Sequence, residues 1–477
     1  MRPSRLLPLI IATALFMENT DSTVIATSLP MIAMDIGVEP IALKLALTSY
    51  LVGLAIFIPV SGWMADRFGA KTIFTAALGV FMAGSLSCAW ANSLEGFVFA
   101  RFVQGMGGAM MVPVGRLVLL RSIPRNEIVQ ALATLTIPAT IGPIFGPVLG
   151  GFITTYFDWR WIFFINIPIG ILGIFLSIRF IPNIKEEQIP PLDIVGFLLS
   201  GMGLALLMMG FASGGHLVPL RVSIACVLLG TLCIVLFVLH ARRTPHPVMK
   251  LGLFRLPTFR ASIIGGSMFR VGIGAIPFLL PLLLQIGFGL SPLASGSLTF
   301  ISAVGALFTK TLAKRVLELT GFRRLLIVNS LIGAAFIAIN GLFTPMTPHW
   351  AIMLLLFAGG CFRSMQFTSL NAIAYADVSQ RDMSSATSLS SVAQQVSLST
   401  GVAIGAAALE TSVWMRGAGT MGVPDFAVAF WSVAIIAALS SLVFLKLPPD
   451  AGAEMSGHRA FPRPQPSSGM ETGVEPR

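Results

Sequence analysis

Apolar runs about twenty residues long recur along the chain, broken by short polar or basic stretches. They fall at approximately 7–30, 45–64, 72–91, 97–119, 129–152, 160–181, 193–213, 221–240, 261–285, 293–316, 325–343, 350–374, 385–409 and 426–446. Each is long enough to carry an α-helix across about 30 Å of hydrocarbon, and long alternating strands of the membrane-barrel kind are absent. The pattern predicts an all-α polytopic membrane protein with fourteen transmembrane helices. Two breaks are longer than the rest, Asn183 to Asp193 ("NIKEEQIPPLD") and His240 to Arg260 ("HARRTPHPVMKLGLFRLPTFR"), and only two spans lie between them. The chain thus divides 6+2+6: a first six-helix bundle over 1–182, a two-helix insert with its flanking loops over 183–260, a second six-helix bundle over 261–447, and a tail over 448–477. The tail is rich in Pro, Gly and Ser and is predicted to be disordered.

The break between spans 2 and 3 reads "GWMADRFGAKTIF", and that between spans 10 and 11 reads "LAKRVLELTGFRRLL"; both end with a glycine followed by basic residues. Span 10 is the second of the last six, which is where a duplicated six-helix unit places such an echo. Parallel repeats of this kind mark transporters that rock two bundles about a midplane site.

Composition agrees with the pattern. Of 477 residues 55% are hydrophobic and 11% charged, with a mean hydropathy of +0.86, where a soluble domain carries about a quarter charged residues. No length is left for a separate soluble domain. The net charge of +11 is explained by placement: of 31 Lys and Arg, 24 fall on the side of the amino terminus, 4 on the other (Lys44, Arg160, Arg221, Arg416) and 3 within spans (Arg101, Arg270, Arg363). That asymmetry puts both termini in the cytoplasm and makes the basic charge topological, so nucleic acid is not an expected partner. The four cysteines lie in apolar runs without metal-ligand spacing and are expected to be packing residues. The first apolar run, too long for a signal-peptide core and lacking a small-residue cleavage site, is expected to be a retained span.

Two constellations point to moving helices. Gly62, Asp66, Arg67, Gly69 and Lys71 stand in the order G-x-x-x-D-R-x-G-x-K. Gly62 is expected to let helices approach closely and Gly69 to permit a sharp turn, while Asp66, Arg67 and Lys71 can form a charge network that latches one of two conformations. In span 5, "IPATIGPIFGPVLGGFI" sets Gly142, Pro143, Gly146, Pro147, Gly150 and Gly151 on four-residue steps after Pro138. Repeated Gly makes a flat packing face and each Pro bends the helix, so such a helix can seal one side against leakage.

Charges inside spans are costly and mark function. Asp21 lies about fourteen residues, roughly 20 Å, from the inner end of span 1, near the midplane. Burial disfavours the charged form of a carboxyl, so Asp21 can be a proton carrier that is neutral when enclosed and ionised when water reaches it; alternatively it pairs permanently with Arg101 and holds the bundle together. Glu18 shares its helical face and can be a second carrier, a contact for a substrate cation, or a wet residue at a cavity mouth. Arg101 can tune Asp21 by its positive field. Arg270 and Arg363 are either anion-binding groups or counter-ions to Glu18 and Asp21. Gln104, Asn371, Gln394 and Gln395 can line a substrate cavity or simply join helices.

These residues resemble a known family. The loop set from Gly62 to Lys71 is similar to the cytoplasmic loop motif of the major facilitator superfamily. Asp21 with "STVIATSLP", Arg101, Gln104 and Gly105 in "RFVQG", and "WRWIFFINIPIG" with Trp159, Arg160, Trp161, Phe163, Asn166, Pro168 and Gly170 resemble the fourteen-span drug:proton antiporter family within it. The span 5 pattern resembles that family's antiporter motif, which implies export. One departure is Arg121, where many facilitators carry an acid that pairs with the loop's basic side chains; either Arg121 pairs with Asp66 instead, or the latch is weaker here than in the family. The resemblance implies a major facilitator fold in a bacterial inner (plasma) membrane, acting as a monomer.

The leading expectation is a proton-coupled exporter of lipophilic small molecules, driven by the proton gradient and needing neither a cofactor nor a metal. No G-x-x-x-x-G-K-[ST] nucleotide loop is present, and the chain is not expected to be an enzyme. The alternatives are export of an organic anion or a metal-carboxylate chelate, and a receptor that does not transport. A channel is disfavoured because no filter segment is evident.

Overall fold

The computed structural model describes residues 3–122, 142, 145–183, 185, 191–212, 220–245, 247–379, 382–417 and 420–453. These form fourteen helices: α1 (Pro3–Ile36), α2 (Lys44–Phe68), α3 (Ala70–Trp90), α4 (Leu94–Ser122), α5 (145–156), α6 (Trp161–Phe180), α7 (Ile194–Ala212), α8 (Leu220–Arg243), α9 (Pro257–Leu282), α10 (292–320), α11 (322–340), α12 (His349–Ile373), α13 (Met383–Met415) and α14 (Val423–Phe444). Twelve of them are long and apolar enough to span a membrane; the other two are α7, whose apolar stretch is shorter, and α5, which is described only in part. The 6+2+6 reading of the spans therefore matches the helix count. The predicted tail lies almost wholly outside the described residues.

Local chemistry sets the helix ends. Ser291 caps α10 by accepting the Ala294 N–H at 3.2 Å, with Pro292 in the first turn where its missing N–H costs nothing. The predicted break between spans 10 and 11 is shorter than expected. The helix formers of "AKRVLEL" carry α10 beyond its apolar run until Gly321 stops it. Gly69 between α2 and α3 and Gly321 between α10 and α11 have φ of +98° and +67°, a region glycine occupies without a Cβ penalty. The echo seen in the sequence is thus two glycine breaks at corresponding points of the two bundles.

Close glycine crossings repeat in the same way. A Cβ at Gly53 of α2 would lie 2.7 Å from the Phe102 carbonyl oxygen of α4, and one at Gly360 of α12 would overlap the Ser302 carbonyl oxygen of α10. Helix α7 is wedged between α2 and α13 and so touches both bundles, whereas α8 packs mainly on α7. Away from the basic loops, one apolar cluster is shared by both bundles, running from Val24 and Leu29 through Phe278 and Leu279 to Val402 and Leu409. Toward the basic end a second cluster also joins the bundles, running from Leu7 and Ile58 through Phe237 and Met249 to Phe259 and Leu389, and a smaller one lies within the second bundle.

Candidate functional site

Asp21, the nineteenth of 34 residues in α1, is buried inside the first bundle, where four helices converge on it. Arg101 of α4 donates to Asp21 Oδ2 at 2.6 Å; Gln104 of α4 and Asn166 of α6 each donate to Oδ1 at 2.8 Å. Ser85 of α3 joins the ring by accepting from Gln104 at 2.8 Å and from Asn166 at 3.2 Å. Arg101 also bonds Gln104 and stacks 4.3 Å over the Tyr50 ring. A carboxylate held by three donors, one of them a guanidinium, is satisfied without water. The sequence reading brought Asp21 and Arg101 together and placed Gln104 in the substrate cavity instead. It missed Ser85 as a participant, and it noted Asn166 only as part of a motif.

Several expectations are corrected here. Gln104 is fully buried and spends its amide on Asp21 and Ser85, so it does not line an open cavity. Neither Arg270 nor Arg363 is a counter-ion to Asp21 or Glu18. Arg270 donates to Asn371 at 3.1 Å and lies 5.2 Å from the Phe367 ring centre, and its Nε and Nη1 have no hydrogen-bond partner among the described residues. Arg363 donates to Ser302 at 2.9 Å and lines a cavity of about 30 Å³ with Asn340 and Phe336, a space fit for a water rather than for a drug. Glu18 is half-buried one turn from Asp21. Gln394 and Gln395 lie half-buried on α13.

The loop motif is resolved unevenly. Gly69 holds the left-handed turn, and a side chain there would overlap the Asn183 amide. Nothing lies within 4 Å of a Cβ placed on Gly62, so close helix approach does not explain that glycine in this conformation. Lys71 donates to the Ile178 carbonyl oxygen of α6, Arg67 is exposed, and Asp66 lies half-buried in the last turn of α2. The Arg121 side chain lies outside what the structure describes.

The glycines of span 5 pack where the pattern implies. Gly142, Gly146 and Gly150 face α1: a Cβ at Gly142 would lie 2.8 Å from Thr20 Oγ1, one at Gly146 would overlap Thr23, and one at Gly150 would overlap the Val24 carbonyl oxygen. Gly151 and Pro147 turn instead to α10, with a Gly151 Cβ 2.5 Å from the Pro292 carbonyl oxygen and the Pro147 carbonyl oxygen against Gly296. Pro138 and Pro143 lie outside the described residues.

The bundles meet at the end away from the basic loops through polar contacts the sequence did not disclose. Lys44, at the start of α2 and 1% exposed, forms an ion pair with Glu410 of α13. Gln285, in the single π-helical turn Leu283–Gly287 that follows α9, donates to the Thr27 carbonyl oxygen at 2.9 Å, and Leu293 N–H reaches Thr155 at 3.1 Å. Nearby, Arg160 pairs with Asp35 at 2.8 Å and stacks on Trp159, fixing the end of α1 to α6.

The profile of the Major Facilitator Superfamily matches residues 11–194 and 262–468, leaving out the two-helix insert. The chain is 36% identical over 446 residues to "Putative multidrug resistance protein MdtD" of Citrobacter koseri, covering 92% of this chain and 94% of that protein. It is also 36% identical over 449 residues to the protein of that name in Klebsiella pneumoniae, with 93% and 94% covered. Among solved structures it resembles a D-xylose-proton symporter, with a TM-score of 0.68 at 15% identity over 94% of this chain and 98% of that one. A peptide-bound POT family transporter aligns with a TM-score of 0.70 at 14% identity, with 93% and 95% covered.

Proposed function

The chain belongs to the Major Facilitator Superfamily, and from that premise we propose that it is a proton-coupled secondary active exporter of small lipophilic compounds. It works as an antiporter by alternating access in a bacterial inner membrane, with both termini and the basic loops in the cytoplasm. The relatives' name supports drug efflux, and the lysine and arginine placement supports the orientation.

One observation carries the reading: the midspan carboxylate of Asp21 holds α1 to α4 and α6 through a single charge, with Ser85 of α3 bonded to two of its donors. Protonating Asp21 leaves Arg101 an uncompensated buried cation, which is strongly unfavourable, so proton binding and rearrangement of α1 are coupled. Helix α5 lies on α1 at Thr23 and Val24, within a turn of Asp21, and it also carries Pro147 and Gly151 against α10. A shift of α1 is thereby passed to the contact that closes the outer end. A proton arriving from outside favours the outward-open state, in which substrate leaves; loss of that proton to the cytoplasm restores the network. The proton gradient supplies the work and no cofactor enters.

The test is proton release from energised inverted vesicles on addition of a lipophilic cation. Asp21→Asn is expected to reduce both proton release and gradient-driven accumulation at least about tenfold, equivalent to about 1.4 kcal/mol of lost coupling. Accumulation at parental strength in Asp21→Asn would overturn the mechanism.

A second reading is favoured by Arg270, which is fully buried and, among the described residues, donates only to a neutral amide. A carboxylate on the substrate supplies the missing charge, making the cargo an organic anion or a metal-carboxylate chelate. Citrate in place of the cation in the same vesicles separates the two: a response to citrate alone, lost in Arg270→Gln, replaces drug efflux with anion efflux.

A further inference from the structure

Between the insert and the second bundle lies a cavity of about 540 Å³, a volume typical of small-molecule sites. Phe237 and Val238 of α8, Val392 and Val396 of α13, and Met249 and Phe254 of the connecting segment line it, and its wall is overwhelmingly apolar. Its rim faces hydrocarbon: Val235 and Leu239, beside the lining residues Ile234 and Val238, are exposed, as is Ile264 next to Ile263. Water gains nothing in such a space, and a polar solute leaves its own hydrogen bonds behind on entering it.

The basic end of the cavity is charged. Arg242 and Arg243 end α8 little more than a turn past Phe237 and Val238, and Arg255 ends the short helix Leu251–Arg255 whose Leu251 and Phe254 line the wall. All three are exposed and form no ion pair among the described residues. The acids nearby are already engaged, Asp193 with His240 at 2.7 Å and Asp382 with Lys250 at 3.0 Å. A greasy slot between membrane helices, topped by uncompensated arginines at the polar boundary, has the two-part chemistry of an anionic phospholipid.

We infer that this cavity is a binding site for an anionic phospholipid, its acyl chain between α8 and α13 and its phosphate on Arg242, Arg243 and Arg255. The lipid fills the gap that α8 leaves against the second bundle and ties the insert to it.

The test is native mass spectrometry of the full chain transferred from detergent into mixed micelles with phosphatidylglycerol, phosphatidylcholine or glycerol 3-phosphate. The parent is expected to retain phosphatidylglycerol about tenfold better than phosphatidylcholine and to retain no glycerol 3-phosphate. In the triple variant Arg242→Gln, Arg243→Gln, Arg255→Gln that preference disappears while residual retention of both lipids persists. Val396→Trp, or Val392→Phe should the first variant not purify as a folded species, fills the cavity and reduces retention of both lipids. Equal retention of the two lipids by the parent overturns the inference, as does an undiminished preference in the arginine variant. Tight binding of glycerol 3-phosphate alone indicates an ion site without a chain, and a lipid-free dimer indicates that a second copy covers the cavity; either result also overturns it.

Discussion

A single carboxylate in the middle of a membrane helix stands out in any hydropathy reading, which is why Asp21 was legible and why Arg101, one polar residue among apolar neighbours, was legible as its partner. Ser85 and Asn166 were not legible as its companions, because a serine or asparagine in a span is ordinary and only the crossing of α3 and α6 brings them to the acid. Hydrogen bonds to a charged group contribute about 1.5–3 kcal/mol. Asn166→Ala should therefore lower thermal stability in detergent by about that amount at neutral pH, while Asp21→Asn in the same background makes the loss smaller; additive losses in this double-mutant cycle would deny the contact any energetic role. Outside the membrane, Asp193 offers a pH prediction. Burial pushes its carboxyl up, but the Gly196 N–H, the His240 ring and the Val248 N–H together outweigh burial and hold it below the usual carboxylate range. A depressed carboxyl contributes stability that is complete above its unfolded value, about 3.9, and is lost as pH falls through the lower folded value. Melting curves should show Asp193→Asn less stable than the parent at pH 7, with the two converging as pH drops below about 4.

At the scale of elements, spans were readable because hydrophobic length is a one-dimensional property, and the glycine steps of span 5 were readable because a four-residue repeat puts small residues on one helix face. The same logic misassigned Gly62, since a glycine in a motif does not say whether a neighbour stands opposite it. It also placed a loop where α10 continues to Gly321, because charge ends an apolar run but not a helix of good helix formers. The face formed by Gly142, Gly146 and Gly150 makes a prediction of its own. A methyl at Gly150 collides with the Val24 carbonyl oxygen, which is backbone and cannot rotate away. Gly150→Ala should thus force α5 from α1 at a cost of about 1–3 kcal/mol. The expected result is a protein that is inserted and purified normally but has lost most of its exchange activity. Parental exchange rates in Gly150→Ala would show that the α1–α5 contact transmits nothing.

For the whole molecule, closure of the end away from the basic loops depends on residues far apart in sequence. Lys44 was counted as an ordinary charge on the outer side, yet it is buried against Glu410, 366 residues away, and no local pattern joins the two. A cation at the first position of a helix opposes the helix dipole, so Glu410 compensates both the burial of Lys44 and its position. Opening this end to water, the outer end in the proposed orientation, separates this pair, together with the Gln285 bond to Thr27 and the α5 contact with α10. Removing one partner of a buried pair costs about 3–5 kcal/mol because the other charge is left unpaired, whereas replacing both with apolar residues of similar volume is often neutral. Lys44→Met or Glu410→Met alone should therefore shift the population toward the outward-open state, where the remaining charge is hydrated. A cysteine placed at Thr27 should then react faster with a membrane-impermeant maleimide added from outside. The double variant Lys44→Met, Glu410→Met should restore closure and slow that reaction toward the parent's rate. Single variants that label no faster than the parent would show that the apolar cluster from Val24 to Leu409 holds the outer end shut without the ion pair.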